Sequence, residues 1–461
     1  MSGLAPLIAD ETALWPLGPG DCVLSIGVAS DHDPARAALS SAACASLAPV
    51  GDARRVAASG HGLVLRLARL DGRNAIERPP GPPTPAAESL SDALDAATRD
   101  GARPGLAVVE SAATALAPCL EAFEQRPGAE PAAIAVVRGA GEAAGRWDRP
   151  LFDAGYVRLK PGACRLVGDG ADAYIRSALL TDLSLLREPS SNAVSMDTLG
   201  TNGRFGNQLF QYAFLALYAL RNNCRVQSSR WIGQMLYGIA FDPPDPSFQR
   251  QGFALFTGVE RHLWTLAEPP VNLDFWGYFQ EIPASWRRHR ALLRRIFTPR
   301  PLFVDLIERW MARTIPTDAA LVGIHVRRGD YPYFNHDQMP WFRPIPVEWY
   351  DDFLRELWPT LERPVLFIAT DDAKAVAPHF AAYEPVIAPA YELALPELDF
   401  LPDFMCMQRC AVLAAVNSSF SRMAALLADD DQVAYLPNMK TRRFERYEPW
   451  LDEDFWARFE A

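Results

Sequence analysis

The fold is decided by the stretch from Leu321 to Tyr331, whose sequence is LVGIHVRRGDY. Its first part is mostly apolar and predicts a short buried strand over 321–326, so Arg327 and Arg328 fall at the carboxyl end of that strand. In open α/β sheets, this edge is where ligands bind. A guanidinium is always charged and its planar fork fits phosphate oxygens. The pair of arginines therefore indicates an anionic, phosphate-bearing ligand.

Length and charge limit the classes of protein to consider. The chain has 461 residues, of which 49% are hydrophobic, and this is enough for about two or three packed domains. Its formal net charge of -11 argues against nucleic acid or an anionic membrane as the main partner. It contains no run of about 18 or more apolar residues, and its N-terminus carries acids where a signal peptide would carry basic residues. We expect a cytoplasmic protein without a transmembrane segment, whose membrane contact, if any, is peripheral.

The cysteines do not predict a metal site. There are seven, an odd number, and they lack the spacing of a zinc site or a disulfide framework, so reduced thiols are expected. Cys406 and Cys410 lie one helical turn apart and suit either metal ligands or a packed core. Their apolar neighbours favour the core.

The composition changes near residue 195, from an alanine-rich region to one rich in aromatic residues. In the first region, the proline-rich segment 78–85 predicts a loop, and segment 180–196 is interpreted as a connector. Alternating strands and helices predict a small α/β accessory domain over 1–195. The strands are expected at 22–28, 62–67, 106–109 and 133–137, and the helices at 89–98 and 113–123.

Three pieces of the first region, at 89–94, 105–110 and 151–156, faintly resemble the C-terminal part of FkbM-type methyltransferases. The resemblance covers less than half of the region, and a glycine-rich S-adenosylmethionine loop is missing from it. It favours an accessory or remnant domain over an active methyltransferase.

The second region opens with GRFGNQLFQY at residues 203–212, a glycine-bearing turn followed by an amphipathic segment that runs to about Asn222. Glycines permit close backbone approach, and a helix N-terminus beside them offers free N–H groups to an anion. An ordinary helix entry is the alternative. Further strands are predicted at 365–370, 412–416 and 433–436, and further helices at 347–357, 404–410 and 421–427.

Four motifs occur in order: GNQ at 206–208, HVRRGDY at 325–331, TDD at 370–372 and NSSFS at 417–421. With FWGYFQ, PVEWY and the segment from Asp399 to Cys410, they resemble the α1,2-fucosyltransferases of glycosyltransferase family 11 over about residues 198–455. The resemblance implies a GT-B architecture of two Rossmann-like halves facing a cleft. It places the acceptor-side half at 198–315 and the GDP-sugar half at 316–461. It also implies GDP-fucose as donor substrate, inversion at the sugar carbon, no cofactor and no metal.

Each motif then receives a role. The resemblance places the essential phosphate arginine at Arg327, where a fixed cation stabilises the leaving phosphate. Arg328 either joins it or pairs with a carboxylate. Asp371 or Asp372 binds the guanine or ribose side, and the alternative of a metal pair lacks the spacing of Asp-x-Asp transferases.

His325 is expected either to hydrogen-bond the phosphate or acceptor, or simply to pack in the core. Asp330 is expected to orient the arginines, to cap the next helix, or to take part in catalysis. The other candidate donor-binding residues are Gly206, Asn207, Ser418, Ser419 and Phe420, with ordinary serine capping as the alternative. The candidate acceptor-binding residues are Gln208, Trp276, Tyr278 and Tyr331, with core packing as the alternative.

Several choices stay open at the level of sequence. The general base is Asp330, His336, Asp337 or Glu281, unless the leaving phosphate takes the proton. Where the family usually has paired tryptophans, this chain has Arg422-Met423, a change that affects packing, acceptor choice or the charge near the phosphates. The acceptor is expected to be a terminal β-galactoside of a bacterial surface polysaccharide or its precursor. Another nucleotide-sugar transferase and a non-catalytic glycan or nucleotide-sugar binding protein are the alternatives, and the sequence does not give the oligomeric state.

Overall fold

The computed structural model divides the chain into two compact units, the first comprising 1–191 and 220–223 and the second 192–219 and 224–461. The first unit is described at 22–28, 47–49, 54–58, 61–70, 104–110, 120, 123, 130–137, 145–161, 163 and 171–191. The second is described except at 254–261, 389–397, 452–454, 456–457 and 460–461.

The first unit is built on one mixed sheet, whose strand order is β2-β4-β1-β5-β6-β8-β7, with β3 also paired to β4. The three central strands β1, β5 and β6 run parallel, whereas the β4-β1, β6-β8 and β7-β8 pairs are antiparallel. The helix α1 (Asp148–Asp153) precedes β7. The strands are β1 (Cys22–Val28), β2 (Leu47–Pro49), β3 (Arg54–Ala58), β4 (His61–Leu70), β5 (Pro104–Glu110), β6 (Ala133–Val137), β7 (Tyr156–Arg158) and β8 (Ala171–Arg176).

The predicted strands of this unit are confirmed, and β1 and β6 have the predicted bounds. β4 and β5 extend beyond the predicted 62–67 and 106–109. The predicted helix 89–98 and the proline-rich loop 78–85 lie outside the described residues. Of the predicted helix 113–123, Leu120 and Phe123 are described, and both are helical and buried.

The second unit begins with a four-stranded sheet in which every pairing is parallel and the order is β10-β9-β12-β11. The strands are β9 (Ala193–Met196), β10 (Arg225–Ser228), β11 (Gln249–Gly252) and β12 (Leu273–Trp276). The helices are α2 (Phe205–Asn222), α3 (Ile232–Tyr237), α4 (Arg290–Ile296) and α5 (Pro301–Thr314).

The interpretation of 180–196 as a connector was wrong at its end, because its last four residues form the inner strand β9. All four are buried, so the strand shows none of the alternation that marks a half-buried strand. The helix predicted to run to about Asn222 is confirmed as α2.

A second sheet follows, with order β14-β13-β15-β16-β17, parallel except for the last pair. The predicted α/β class is therefore confirmed, since the second unit holds two largely parallel sheets. The strands are β13 (Ala320–Val326), β14 (Pro364–Thr370), β15 (Val412–Ala414), β16 (Val433–Asn438) and β17 (Arg443–Tyr447). The helices are α6 (Val347–Leu357), α7 (Ala373–Val376), α8 (Leu401–Arg409) and α9 (Ser419–Leu427).

Predicted elements of this half differ from the observed ones mainly at their ends. α6 has the predicted bounds, whereas α8 starts at Leu401 and α9 starts at Ser419 because Ser418 caps it. Cys406 and Cys410 are buried, which confirms the core assignment, and the Sγ of Cys410 donates to the carbonyl of Cys406 at 3.2 Å. No helix in the described ranges has the length and apolar character needed to cross a membrane.

Candidate functional site

Three of the predicted motifs meet at one edge of the second sheet. β14, β13 and β15 are neighbours and parallel, so their carboxyl ends lie side by side. Arg327 follows β13, Asp371 follows β14, and Asn417 comes shortly after β15. The fold therefore brings together residues that the sequence separates by 44 and 86 positions, as the Arg327–Asp371 and Tyr331–Asn417 hydrogen bonds show.

Arg327 lies between two carboxylates. Its guanidinium pairs with Asp371 through one terminal nitrogen and with Asp330 through the other, and 13% of its side chain is exposed. The other oxygen of Asp371 accepts the backbone N–H groups of Arg328 at 2.8 Å and Gly329 at 3.1 Å. Asp371 therefore fixes both the arginine side chain and the turn that follows β13.

Gly329 is required by this turn. Its φ is +31°, and a Cβ there would lie 2.4 Å from the Oδ2 of Asp371 and 3.1 Å from the Cζ of Arg327. A side chain at this position would push the carboxylate and the guanidinium apart.

The structure gives different contacts to adjacent residues whose roles the sequence could not tell apart. Arg327 has the carboxylate partners that were expected for Arg328, whose guanidinium donates to the carbonyl of Ile345 at 3.2 Å. Asp371 faces the arginine, whereas Asp372 caps α7 by accepting the N–H of Ala375 at 3.3 Å. Asp330 orients Arg327, which was one of its predicted roles.

The N-terminus of α9 supplies hydrogen-bond donors at the same edge. Ser418 caps the helix, its Oγ accepting the N–H of Phe420 at 3.4 Å. Just before it, Asn417 is 7% exposed and its Nδ2 has no hydrogen-bond partner among the described residues. An unpartnered buried donor beside a helix N-terminus is the arrangement of an anion site.

His325 adds a second such atom. It is 5% exposed at the end of β13, and its Nδ1 is buried without a partner in the described part of the chain. Burial, and then the charge of Arg327, lowers the pKa of its imidazole to about 3, so the ring is neutral at physiological pH. The ring lies 5.8 Å from that of Phe420. Packing was one of the two expectations for this histidine, and its unpartnered nitrogen is compatible with the other.

Tyr331 connects the motifs. Its ring lies beneath the guanidinium of Arg327, 5.2 Å from Cζ to ring centre, and its hydroxyl donates to the carbonyl of Asn417 at 2.8 Å. Burial raises the pKa of this phenol to about 12, so it remains a donor. Its polar atom is thus used within the protein, and the acceptor contact assigned to it remains a prediction.

The motif around Gly206 approaches the same edge from the first half of the unit. A Cβ on Gly206 would lie 2.4 Å from the backbone nitrogen of Phe420, so the starts of α2 and α9 touch backbone to backbone. Asn207 accepts the amide N–H of Gln280 at 2.8 Å, and Gln208 donates inward to the carbonyls of Gly200 and Gly203. Close packing explains these residues, and their donor and acceptor contacts remain predictions.

Other candidates lie at the rim or in the core. Trp276 is 40% exposed at the end of β12, and Tyr278 is partly buried.

Of the candidate bases, Glu281 is buried, the Nε2 of His336 lies 2.9 Å from the carbonyl of Tyr331, and Asp330 is half-exposed beside Arg327. Asp330 is therefore the base candidate that the structure places next to Arg327.

Sequence reasoning missed Asp403 as a site residue. It lies in the first turn of α8, hydrogen-bonds the backbone of Thr370 at the end of β14, and has its pKa raised to about 8 by burial. The signal was an acid in the otherwise apolar stretch LPDFMCM at 401–407. A second carboxyl group therefore lies at the end of β14, in addition to that of Asp371.

Replacing Asp403 with Asn is expected to flatten the pH dependence of stability. The folded state keeps this proton between about pH 4 and 8 while the unfolded state has released it, so the free energy of unfolding falls as the pH rises through that window. Asparagine cannot ionise and lacks this contribution. Urea unfolding near pH 5, 7 and 9 measures the difference, with exposed Asp352 changed to Asn as control. If the free energy of unfolding changed with pH equally in the Asp403 variant and the wild type, the raised pKa assigned to Asp403 would be wrong.

Metal ligands do not gather at this edge. Among the described residues, no group of three or more His, Cys, Asp or Glu side chains is placed to hold a metal ion. Metal independence remains a prediction.

No protein-family model matches this chain, and no curated protein matches it in sequence. Among solved structures, it is similar to the α-1,6-fucosyltransferase NodZ from Bradyrhizobium, in a crystal soaked with GDP-fucose, at 15% identity and a TM-score of 0.38 over 56% of this chain and 99% of that one. It is similar to Arabidopsis thaliana FUT1 in complex with GDP at 12% identity and a TM-score of 0.38, over 56% and 74%. It is similar to POFUT1 in complex with GDP-fucose at 10% identity and a TM-score of 0.32, over 54% and 99%. At these TM-scores the similarities carry no argument about this chain.

Proposed function

We propose that the second unit binds GDP-fucose at the carboxyl edge of β13, β14 and β15 and transfers the fucose to a glycan hydroxyl. The observation that carries the proposal is two buried nitrogens, His325 Nδ1 and Asn417 Nδ2, that have no hydrogen-bond partner among the described residues and lie at the edge where Arg327 and the start of α9 meet. Buried polar atoms without partners cost free energy, so a ligand that hydrogen-bonds them is favoured. A pyrophosphate has the charge and the acceptor oxygens for this place.

The chemistry follows from where charge develops. When the sugar leaves, negative charge builds on the β-phosphate, and preorganised donors stabilise it. Arg327 supplies a fixed cation, held in place by Asp330 and Asp371, and neutral His325 supplies an N–H without competing for the charge. The start of α9 adds the positive end of its helix dipole. The transfer inverts the sugar carbon and needs no metal.

Fucose is proposed as the transferred sugar because of the family motifs. The acceptor that the resemblance favours is a terminal β-galactoside, fucosylated on its 2-hydroxyl. Trp276 and Tyr278 suit the apolar face of a sugar ring, because aromatic rings combine a large apolar surface with an exposed edge. Half-exposed Asp330 takes the acceptor proton.

The test is GDP release from GDP-fucose by the full-length chain in EDTA, with and without lactose. We expect acceptor-stimulated release and a fucosylated product. Tight binding of GDP-fucose without release in the presence of several galactosides would favour the non-catalytic binding protein instead. A failure to bind GDP-fucose, with binding of another nucleotide sugar, would replace the donor.

A further inference from the structure

Arg422 is a buried cation that the proposed chemistry does not use. It lies in α9, one turn after the Ser418 cap, and 1% of the residue is exposed. A buried guanidinium costs several kcal/mol of desolvation unless its surroundings compensate. Its position in the helix is the one at which the sequence departs from the family pattern. Its contacts therefore indicate what the departure accomplishes.

Those contacts join α9 to the first half of the unit. The Nη1 of Arg422 donates to the backbone carbonyl of Gln280 at 2.8 Å. The Cζ lies 4.1 Å from the ring centre of Phe455 and 5.2 Å from that of Phe210, which belongs to α2. The guanidinium is thus enclosed by aromatic faces, which stabilise a desolvated cation. Its Nη1 is directed at the loop after β12, and the role of an additional phosphate cation stays a prediction.

That loop, 277–281, is held in a conformation it would not adopt freely. Phe279 has a φ of +51°, in the left-handed region, and its ring stacks on Phe214 with centres 3.9 Å apart. Gln211 donates to the carbonyl of Gly277 at 3.1 Å. The hydrogen bond from Arg422 to the carbonyl of Gln280 fixes the other end of the loop. A non-glycine residue with positive φ persists where its surroundings fix it.

The same loop carries the candidate acceptor residues. Trp276 precedes the loop and Tyr278 lies within it. The side-chain amide of Gln280, also in the loop, donates to the Oδ1 of Asn207 on α2 at 2.8 Å. Through Arg422, one end of this network is α9, whose N-terminus faces the proposed phosphate site. The other end is the segment on which an acceptor sugar would rest.

We propose that Arg422 is a positioning residue that fixes the loop 277–281 to α9, so that the acceptor surface and the phosphate-binding helix are held as one body. The inference rests on the proposed function and assigns it a determinant of acceptor binding. Apolar side chains would fill the same space, but they have no donor for the carbonyl of Gln280. Arginine reaches that carbonyl and still packs its planar head between two rings.

The experiment compares wild type with Arg422→Met, which fills similar space but has no donor for the carbonyl of Gln280. With lactose as acceptor, we expect the acceptor KM to rise about tenfold or more, because small misplacements of a substrate-positioning segment are costly. GDP release without acceptor and the donor KM should stay within about twofold of wild type. Arg409→Met is the control, since the described hydrogen bonds of Arg409 go to the carbonyl of Met405 at 3.4 Å and to Glu308 at 2.8 Å, and neither reaches the loop.

Hydrogen exchange provides a readout that does not depend on catalysis. In Arg422→Met, the amides of 277–282 should exchange faster while those of α6 keep their wild-type rates. Unchanged exchange in the loop, or equal losses of transfer and acceptor-free release, would overturn the positioning role. If wild type neither transfers nor hydrolyses the donor, the proposed function fails, and the exchange result alone decides whether Arg422 fixes the loop.

Discussion

Replacing Arg327 with alanine is expected to lower kcat/KM for transfer by about 100-fold or more, the effect of removing one preorganised donor from a developing negative charge, on the order of 3 kcal/mol. The donor should still bind, because Asn417, His325 and the start of α9 remain. The loss is therefore expected mainly in kcat. Steady-state kinetics with GDP-fucose and lactose measure it.

Arg327→Lys makes the test sharper. Lysine keeps the charge but cannot contact Asp330, Asp371 and a phosphate through one planar group, so we expect only partial recovery. The control is Arg355→Ala on α6, because 72% of that side chain is exposed and it pairs only with neighbouring Asp352 among the contacts described. Thermal unfolding of each variant separates lost chemistry from lost fold. An unchanged kcat/KM in folded Arg327→Ala would remove the arginine from the mechanism.

Replacing Gly206 with alanine is expected to destabilise the second unit by about 1 to 3 kcal/mol, the usual cost of overpacking. The new methyl group would lie 2.4 Å from the nitrogen of Phe420 and 2.6 Å from the carbonyl carbon of Ser419, and backbone atoms cannot rotate away. Separation of α2 from α9 would also displace the helix start that faces the phosphates. We therefore expect weaker GDP binding together with the lower stability.

The direction of the stability change is informative, because Gly206 lies in the first turn of α2, where helix propensity by itself would favour alanine over glycine by up to about 1 kcal/mol. Gly252→Ala serves as the control. A Cβ there meets nothing nearer than Cε3 of Trp276, at 3.4 Å, which is ordinary contact. Urea unfolding and calorimetric titration with GDP measure both quantities. A Gly206 variant as stable as wild type would show that α2 and α9 are not in backbone contact.

Local sequence patterns were enough to predict most of the helices and strands of the second unit and the sheet edge at which the candidate site lies. Apolar runs ending in polar residues marked β13 and β14, and periodicity gave α6 its bounds, because burial on one face leaves a local pattern. The order of the motifs gave the resemblance from which the donor was proposed. Short, fully buried β9 left no such pattern and was missed.

The tertiary structure alone decided which partners these residues choose. Arg327 rather than Arg328 pairs with the carboxylates, Asp371 rather than Asp372 faces it, and Gly206 is explained by a helix that starts more than two hundred residues later. The burial that raises the pKa of Asp403 and the carbonyl that Arg422 contacts are set in the same way. Each depends on distances between segments remote in sequence, and local patterns of polarity carry no information about those distances.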